Sequence, residues 1–159
     1  MNALAAEVGE ILRKHGLTLS VAESCTGGKI GDMITEVPGS SDYFLGGVVS
    51  YSNQAKMDLL GVKRRSLESV GAVSEEVAIQ MASGAVRAFG SDVALSTTGI
   101  AGPTGATPEK PVGLVYIAVS SKKATVCDKE IFKGERSAVK EQAAIKALEM
   151  LKSFLAKQK

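Results

Sequence analysis

The chain has no tryptophan, one histidine, two cysteines and four prolines among 159 residues, and aromatic side chains make up only 4% of it. Each scarcity removes a class of chemistry. Two cysteines, Cys25 and Cys127, are too few and too far apart for a disulfide framework or a thiolate zinc site, so neither a metal nor a cofactor is expected. Charge of one sign is also missing: the formal net charge is +2, and the only tight basic run is Lys63-Arg64-Arg65. With no tryptophan beside it, that triplet reads as a solvated turn and not as a nucleic-acid surface. Long apolar runs are absent too. The opening stretch MNALAAEVGEILRKHG is interrupted by Glu7 and Glu10, which suits neither a signal peptide nor a membrane span and makes a cytoplasmic protein with no membrane partner the expectation.

The single histidine has a mechanistic consequence. His15 stands at the end of the first predicted helix, where a positive charge meets the helix dipole favourably, and a structural role suffices for it. Any nucleophilic catalysis must then draw its base from lysine, a carboxylate or tyrosine.

What is present suits one globular domain over residues 1–159, with 45% hydrophobic against 23% charged residues. Leu4, Val8, Ile11 and Leu12 recur at helical spacing and Gly16 follows as a cap, which predicts a helix over 2–15. LTLSVA reads as a strand, Ile30 to Val37 as a helix stopped by Pro38-Gly39, and YFLGGVVSY as a second strand. A brief helix at 54–60 precedes one opened by Ser74 with Glu75 and Glu76 in its first turn and an apolar stripe of Ala78, Ala82, Ala85 and Phe89. SDVALSTT is a third strand, LVYIAVSS and ATVCDKEIF form a hairpin, and Ala144, Leu148, Leu151 and Leu155 mark a final helix. Between Gly99 and Gly113 lie three prolines and four glycines, the mark of a long, shaped loop. The order predicts an α/β fold, a mixed, mostly parallel sheet with helices on both faces.

Four places carry candidate chemistry. In AESCTGG, a strand runs into a helix, so Ser24 would stand at the rim where α/β sheets bind ligands. There Gly27 and Gly28 would let N–H groups approach a phosphate or an oxyanion; alternatively, Thr26 merely caps the helix and the glycines permit close packing. Cys25 is either a helix-start thiol of lowered pKa or a small buried residue. In VVSYSNQAKMD, Lys56 follows the second strand's end at Tyr51-Ser52-Asn53; partly desolvated it would serve as base toward a serine, and otherwise it is a solvated helix residue. Thr97, Thr98, Gly99, Gly102 and Gly105 offer hydroxyls and backbone N–H groups, with neither a Walker A nor a dinucleotide spacing. Arg136 opens the last helix, where the dipole repels a cation unless an anion binds there too.

Together AESCTGG, VPGSSDYFLGGVVSYSNQAK, GAVSEEVA and TTGIAGPTGATPEKPVG resemble the signature segments of the CinA C-terminal domain, the nicotinamide-nucleotide amidase family, over nearly the whole chain. The resemblance implies a three-layer α/β/α fold, usually in a homo-oligomer, and a small-molecule nucleotide substrate. The implied reaction is metal-free hydrolysis of nicotinamide mononucleotide to nicotinate mononucleotide and ammonia. It further implies Ser24 as nucleophile and Lys56 as base, with Tyr51, Thr97 or Thr98, the Gly99–Gly105 loop and Arg136 orienting the dyad or binding the nucleotide. Cys25, Thr26, Gly27, Gly28 and Asn53 join the expected substrate-binding set. Longer family members carry a further N-terminal domain, so a stand-alone form is expected. The chain departs from the pattern at Glu135, where aspartate is usual, at Lys140, where arginine is frequent, and at Ala106, where glycine is common. Two other readings compete: a nucleotide-binding module without amidase activity, and an amidase for a related compound such as the riboside.

Overall fold

The computed structural model describes residues 2–158. Helix α1 (Ala3–His15) starts where Asn2 accepts a hydrogen bond from the Ala5 N–H and stops at Gly16, whose φ of 64° is a left-handed cap. There follow β1 (Leu19–Glu23), α2 (Lys29–Thr35), a single turn at Ser40–Asp42, β2 (Phe44–Val49), α3 (Asn53–Leu60), α4 (Arg64–Ser69) and α5 (Glu75–Phe89). The chain closes with β3 (Val93–Gly99), β4 (Leu114–Ser121), β5 (Thr125–Ile131) and α6 (Arg136–Ala156). Helix α4 corrects the expectation of a solvated turn at Lys63-Arg64-Arg65. It is too short for periodicity to announce it, and it is fixed by polar contacts to α5. The Ser66 hydroxyl donates to Glu76 at 2.7 Å, Gln80 donates to Ser66 at 2.8 Å, and the Lys63 N–H donates to Gln80 at 2.9 Å.

The five strands are ordered β2-β1-β3-β4-β5. β2, β1 and β3 pair in parallel, whereas β4 pairs antiparallel with β3 and with β5. Strand direction is thus mostly parallel, with β4 alone reversed, although the pairings divide evenly because the β4–β5 hairpin folds back. Alternation along the strands sorts large side chains from small. Leu19, Val21, Val93, Leu95, Val115, Ile117 and Val119 meet α1, α2 and α6 in the larger core. The opposite face offers Ala22, Ala94 and Ala118 to α5, which answers with Ala78, Ala82 and Ala85. Small residues on both sides let helix and sheet approach closely, and the Ser96 hydroxyl reaches Ala78 O at 2.6 Å.

This topology gathers the functional segments. The parallel strands β1, β2 and β3 all end at one edge of the sheet, the edge at which α/β proteins bind ligands. The reversed β4 starts there and β5 ends there, since Leu114 pairs with Ile131, so the loop 100–113 and the start of α6 arrive at the same place.

The seat of α3 on α5 supplies the first test. A Cβ on Gly84 would stand 1.9 Å from the Leu60 carbonyl oxygen. In an open helix, glycine to alanine stabilises by about 1 kcal/mol. Here the sign should reverse: Gly84→Ala is expected to destabilise the protein by about 2 kcal/mol or more, read from denaturant midpoints, because backbone must move to admit the methyl group.

Candidate active site

The end of β1 delivers Ser24, which is buried together with its neighbours Glu23, Cys25 and Thr26. Its N–H donates to Thr97 O at 3.0 Å, which ties the turn to the end of β3. Lys56 comes from α3, a short helix fixed at both ends: the Ser52 hydroxyl accepts from the Ala55 N–H, and Gly61 closes it with φ 67°. Lys56 and Leu60, one turn apart, share the buried face, and Lys56 is 1% exposed. Its Nζ lies 2.9 Å from Ser24 Oγ, 2.7 Å from Ser50 O and 3.4 Å from Tyr51 O.

This coordination fits a base. As an ammonium, Nζ donates to all three oxygens. As a free amine it keeps two N–H bonds for the two carbonyls, and its lone pair is left for the Ser24 hydroxyl proton. Desolvation by burial lowers the Lys56 pKa from its ordinary 10.5, only partly opposed by Cys25. Ser50 holds the lysine through its main chain; its hydroxyl is buried with no hydrogen-bond partner among the described residues.

Cys25 resolves in the opposite direction. Burial pushes its thiol up to about 12, opposed chiefly by its own backbone N–H; the Glu23 charge raises it further, and Lys56 and Thr97 lower it slightly. The thiolate that a nucleophilic cysteine needs is therefore disfavoured. Of the two neighbouring side chains, Ser24 is the one in hydrogen-bond contact with the Lys56 amine.

The helix start is also settled differently from the sequence reading. The Gly27 N–H donates to Ser24 O, and the Gly28 N–H to Glu23 Oε1 at 3.2 Å. Ile30 and Gly31 donate to the same carboxylate, each at 3.0 Å, and Lys29 donates to Thr26 O. The first amides of α2 are thus committed within the protein, which corrects the expectation that Gly27 and Gly28 offer theirs to a ligand. Among the described residues the Cys25 and Thr26 N–H groups donate to no other residue, and the Cys25 N–H faces its own thiol sulfur. Thr26 and Thr97 lie behind the serine, their hydroxyls 2.7 Å apart.

A cavity of about 310 Å³ opens over the dyad, lined among others by Ser24, Cys25, Tyr51, Asn53, Thr98 and Arg136, with Gly99 and Gly102 from the long loop. Thr98 is anchored by donating to Ala72 O at 2.9 Å. The Tyr51 phenol does not meet the dyad: it accepts from Arg136 at 3.0 Å, and only its carbonyl touches Lys56. Arg136 donates also to Gly102 O at 2.8 Å, so one guanidinium joins α6, the loop and the tyrosine. Beyond it lies a second cavity of about 830 Å³ with Lys29, Arg136, Ser137 and Lys140 on its walls. Lys140, set one turn after Arg136, puts a cation where the sequence pattern led to an arginine. Sequence reasoning passed over Glu23, Lys29, and Ala72 and Val73, which also line the dyad cavity. Glu23 lies within AESCTGG, Lys29 directly after it, and Ala72 and Val73 within GAVSEEVA, but nothing in those segments marked them individually.

The chain matches the CinA C-terminal domain over residues 1–155. It belongs to that family. A putative competence-damage inducible protein of Desulforudis audaxviator is 50% identical over 151 residues, 95% of this chain and 37% of that protein. A CinA-like protein of Kosmotoga olearia is 50% identical over 93% of this chain and 36% of its own length. The chain therefore spans little more than a third of these relatives. The crystal structure of competence/damage inducible protein CihA from Agrobacterium tumefaciens superposes with a TM-score of 0.92 at 40% identity, covering 94% of this chain and 92% of that one. That of competence damage-inducible protein A from Klebsiella pneumoniae gives 0.95 at 33% identity, with 98% and 97% covered. Among the described residues no helix is long and apolar enough to cross a membrane.

The depressed lysine has a measurable sign in stability. Between its lowered native pKa and 10.5, the unfolded chain binds the proton that the CinA domain rejects, so Lys56 contributes a stability that rises with pH across that window. Below the window the buried ammonium carries its full penalty. Lys56→Met should therefore raise the unfolding free energy relative to wild type most on the acid side, with the difference shrinking toward pH 10.5; urea unfolding at a series of pH values measures it.

Proposed function

We propose that this domain is a serine-lysine amidase that hydrolyses the carboxamide of nicotinamide mononucleotide, giving nicotinate mononucleotide and ammonia. The observation that carries the reading is the desolvated Lys56 amine, 2.9 Å from Ser24 Oγ with two carbonyls to hold its remaining N–H bonds.

In the proposed cycle, neutral Lys56 accepts the Ser24 proton as Oγ bonds to the carboxamide carbon. The resulting oxyanion falls to the Cys25 and Thr26 N–H groups, which donate to no other residue among those described and adjoin the nucleophile; such donors are each worth about 3 kcal/mol in the transition state. Lys56 returns its proton to the departing nitrogen, the C–N bond breaks, and an ester to Ser24 remains. Water, deprotonated by the same amine, then releases the acid. Arg136, Lys140 and Lys29 support the reading of a phosphate end: they surround the second cavity, and no side chain caps the N-terminus of α6. Binding energy from that end would position the amide for attack. We also read the domain as a homo-oligomer in the cytoplasm. Supporting the former is the open edge of β2, where Leu45 and Val49 are about half exposed; equilibrium sedimentation measures it.

Ammonia release from nicotinamide mononucleotide is the direct assay. Ser24→Ala and Lys56→Met are each expected to lower it by roughly a thousand-fold or more, and Cys25→Ala to cost far less. Wild-type kcat/KM should rise with pH and level off below 10.5, as the lysine becomes a free amine. Turnover that survives Ser24→Ala but not Cys25→Ala would reverse the choice of nucleophile. Lys140→Met, which changes a wall of the second cavity alone, should raise KM for the mononucleotide by about 10–100-fold, the worth of a charge-assisted hydrogen bond, while leaving the riboside nearly unaffected. Equal losses on both substrates would remove the phosphate from the reading.

A further inference from the structure

Among the described residues Glu23 is the one buried carboxylate beside the dyad, and the proposed cycle above gives it no step. It is 2% exposed and makes four hydrogen bonds. Oε1 accepts from the Thr26 hydroxyl at 2.6 Å, from the Gly28 N–H at 3.2 Å and from the Ile30 N–H at 3.0 Å, and Oε2 accepts from the Gly31 N–H at 3.0 Å. A carboxylate offers only acceptors, so the Thr26 hydroxyl must donate to it. The Thr97 hydroxyl must then donate to Thr26 across their 2.7 Å contact. One negative group thereby orders a chain of hydroxyls running to the end of β3, as well as the start of α2.

The same residue's main chain reaches both halves of the dyad. Ser24 follows it directly. Its carbonyl accepts from the Ser50 N–H at 2.8 Å, and Ser50 O in turn accepts from Lys56 Nζ at 2.7 Å. A shift of Glu23 therefore moves the nucleophile and the carbonyl that aims the base together.

We infer that Glu23 is a positioning residue, the resident anion that occupies the amides of α2, locks the Ser24 turn against β3 and leaves the Cys25 and Thr26 N–H groups as the pair free for an oxyanion. The inference rests on the serine-lysine reading of the site, and not on nicotinamide mononucleotide being the substrate. Glutamine preserves the shape and can retain the three bonds at Oε1, while its NH2 group faces the Gly31 N–H. Alanine removes all four acceptor contacts. The two variants therefore grade the effect.

The test measures the rate at which a fluorophosphonate reagent labels Ser24 in wild type, Glu23→Gln, Glu23→Ala and Lys56→Met proteins, with the labelled peptide identified by mass. This reagent needs an activated serine and oxyanion donors, but no particular substrate. Circular dichroism and urea unfolding fix the folded fraction of each variant. Calorimetry with nicotinate mononucleotide follows binding separately. The expected order of labelling is wild type, then Glu23→Gln, then Glu23→Ala, with the alanine protein about 100-fold or more below wild type per folded molecule. Nucleotide affinity, where wild type shows any, should stay within a few-fold. If labelling per folded molecule in Glu23→Ala equals wild type, so that total labelling falls only as the folded fraction does, the residue is merely structural and the inference is overturned. It is overturned as well if wild-type Ser24 labels no faster than in Lys56→Met. Wild-type labelling with the expected order, but without ammonia release, keeps Glu23 in this role and rejects the mononucleotide amidase instead.

Discussion

A primary amine in water at neutral pH is an ammonium and cannot take a proton from serine. Everything at the candidate site depends on keeping Lys56 out of water while still giving its N–H bonds somewhere to go. Burial supplies the first condition, and the carbonyls of Ser50 and Tyr51, freed where β2 ends, supply the second. Neither works without the other: a dry amine with no acceptors would be too costly to bury, and a hydrogen-bonded amine in water would stay protonated. The tight seat of α3 on α5, with Gly84 under the Leu60 carbonyl, is the structural means of meeting both.

The topology explains how so many segments reach one place. Three parallel strands release Ser24, Ser50 with Tyr51, and Gly99 at the same edge, and the reversed β4 brings the long loop back to it. That loop is closed at its base by hydrogen bonds between Ile100 and Leu114 and between Gly113 and Ile100, and Lys110 anchors it by donating to Val70 O. Arg136 then links its Gly102 carbonyl to the Tyr51 phenol. The wall of the dyad cavity is in this way a braced surface, although it contains little regular structure.

Two helix N-termini face this region and are treated oppositely. The amides of α2 are consumed internally, chiefly by Glu23, so that terminus presents no free donors to an anion. The start of α6 has no side-chain cap, and Arg136 and Lys140 stand on it with Lys29 across the cavity. Closing one terminus and leaving the other open separates the Ser24–Lys56 end of the candidate site from its cationic end, and it does so with ordinary helix electrostatics.

Much of this was legible along the chain because it is encoded locally. Helical spacing, the left-handed glycine after α1, Ser74 as a cap, and the β4–β5 hairpin follow from backbone preferences that neighbouring residues set. The lone His15 removed histidine from the expected chemistry, and the AESCTGG and VVSYSNQAKMD segments held Ser24 and Lys56, which the fold brings within 2.9 Å of each other. The rest needed partners distant in sequence. α4 is held by contacts to α5 that no local pattern announces, and the Tyr51 phenol turned to Arg136, 85 residues away. Glu23 could not be singled out from sequence, since a glutamate at a strand end is usually solvated and only the folded turn wraps amides around it. Sequence alone determined which residue types were available for the chemistry and where most of the elements lie; tertiary structure decided which of them are dry, and desolvation is what lowers the pKa of Lys56 and raises that of the Cys25 thiol.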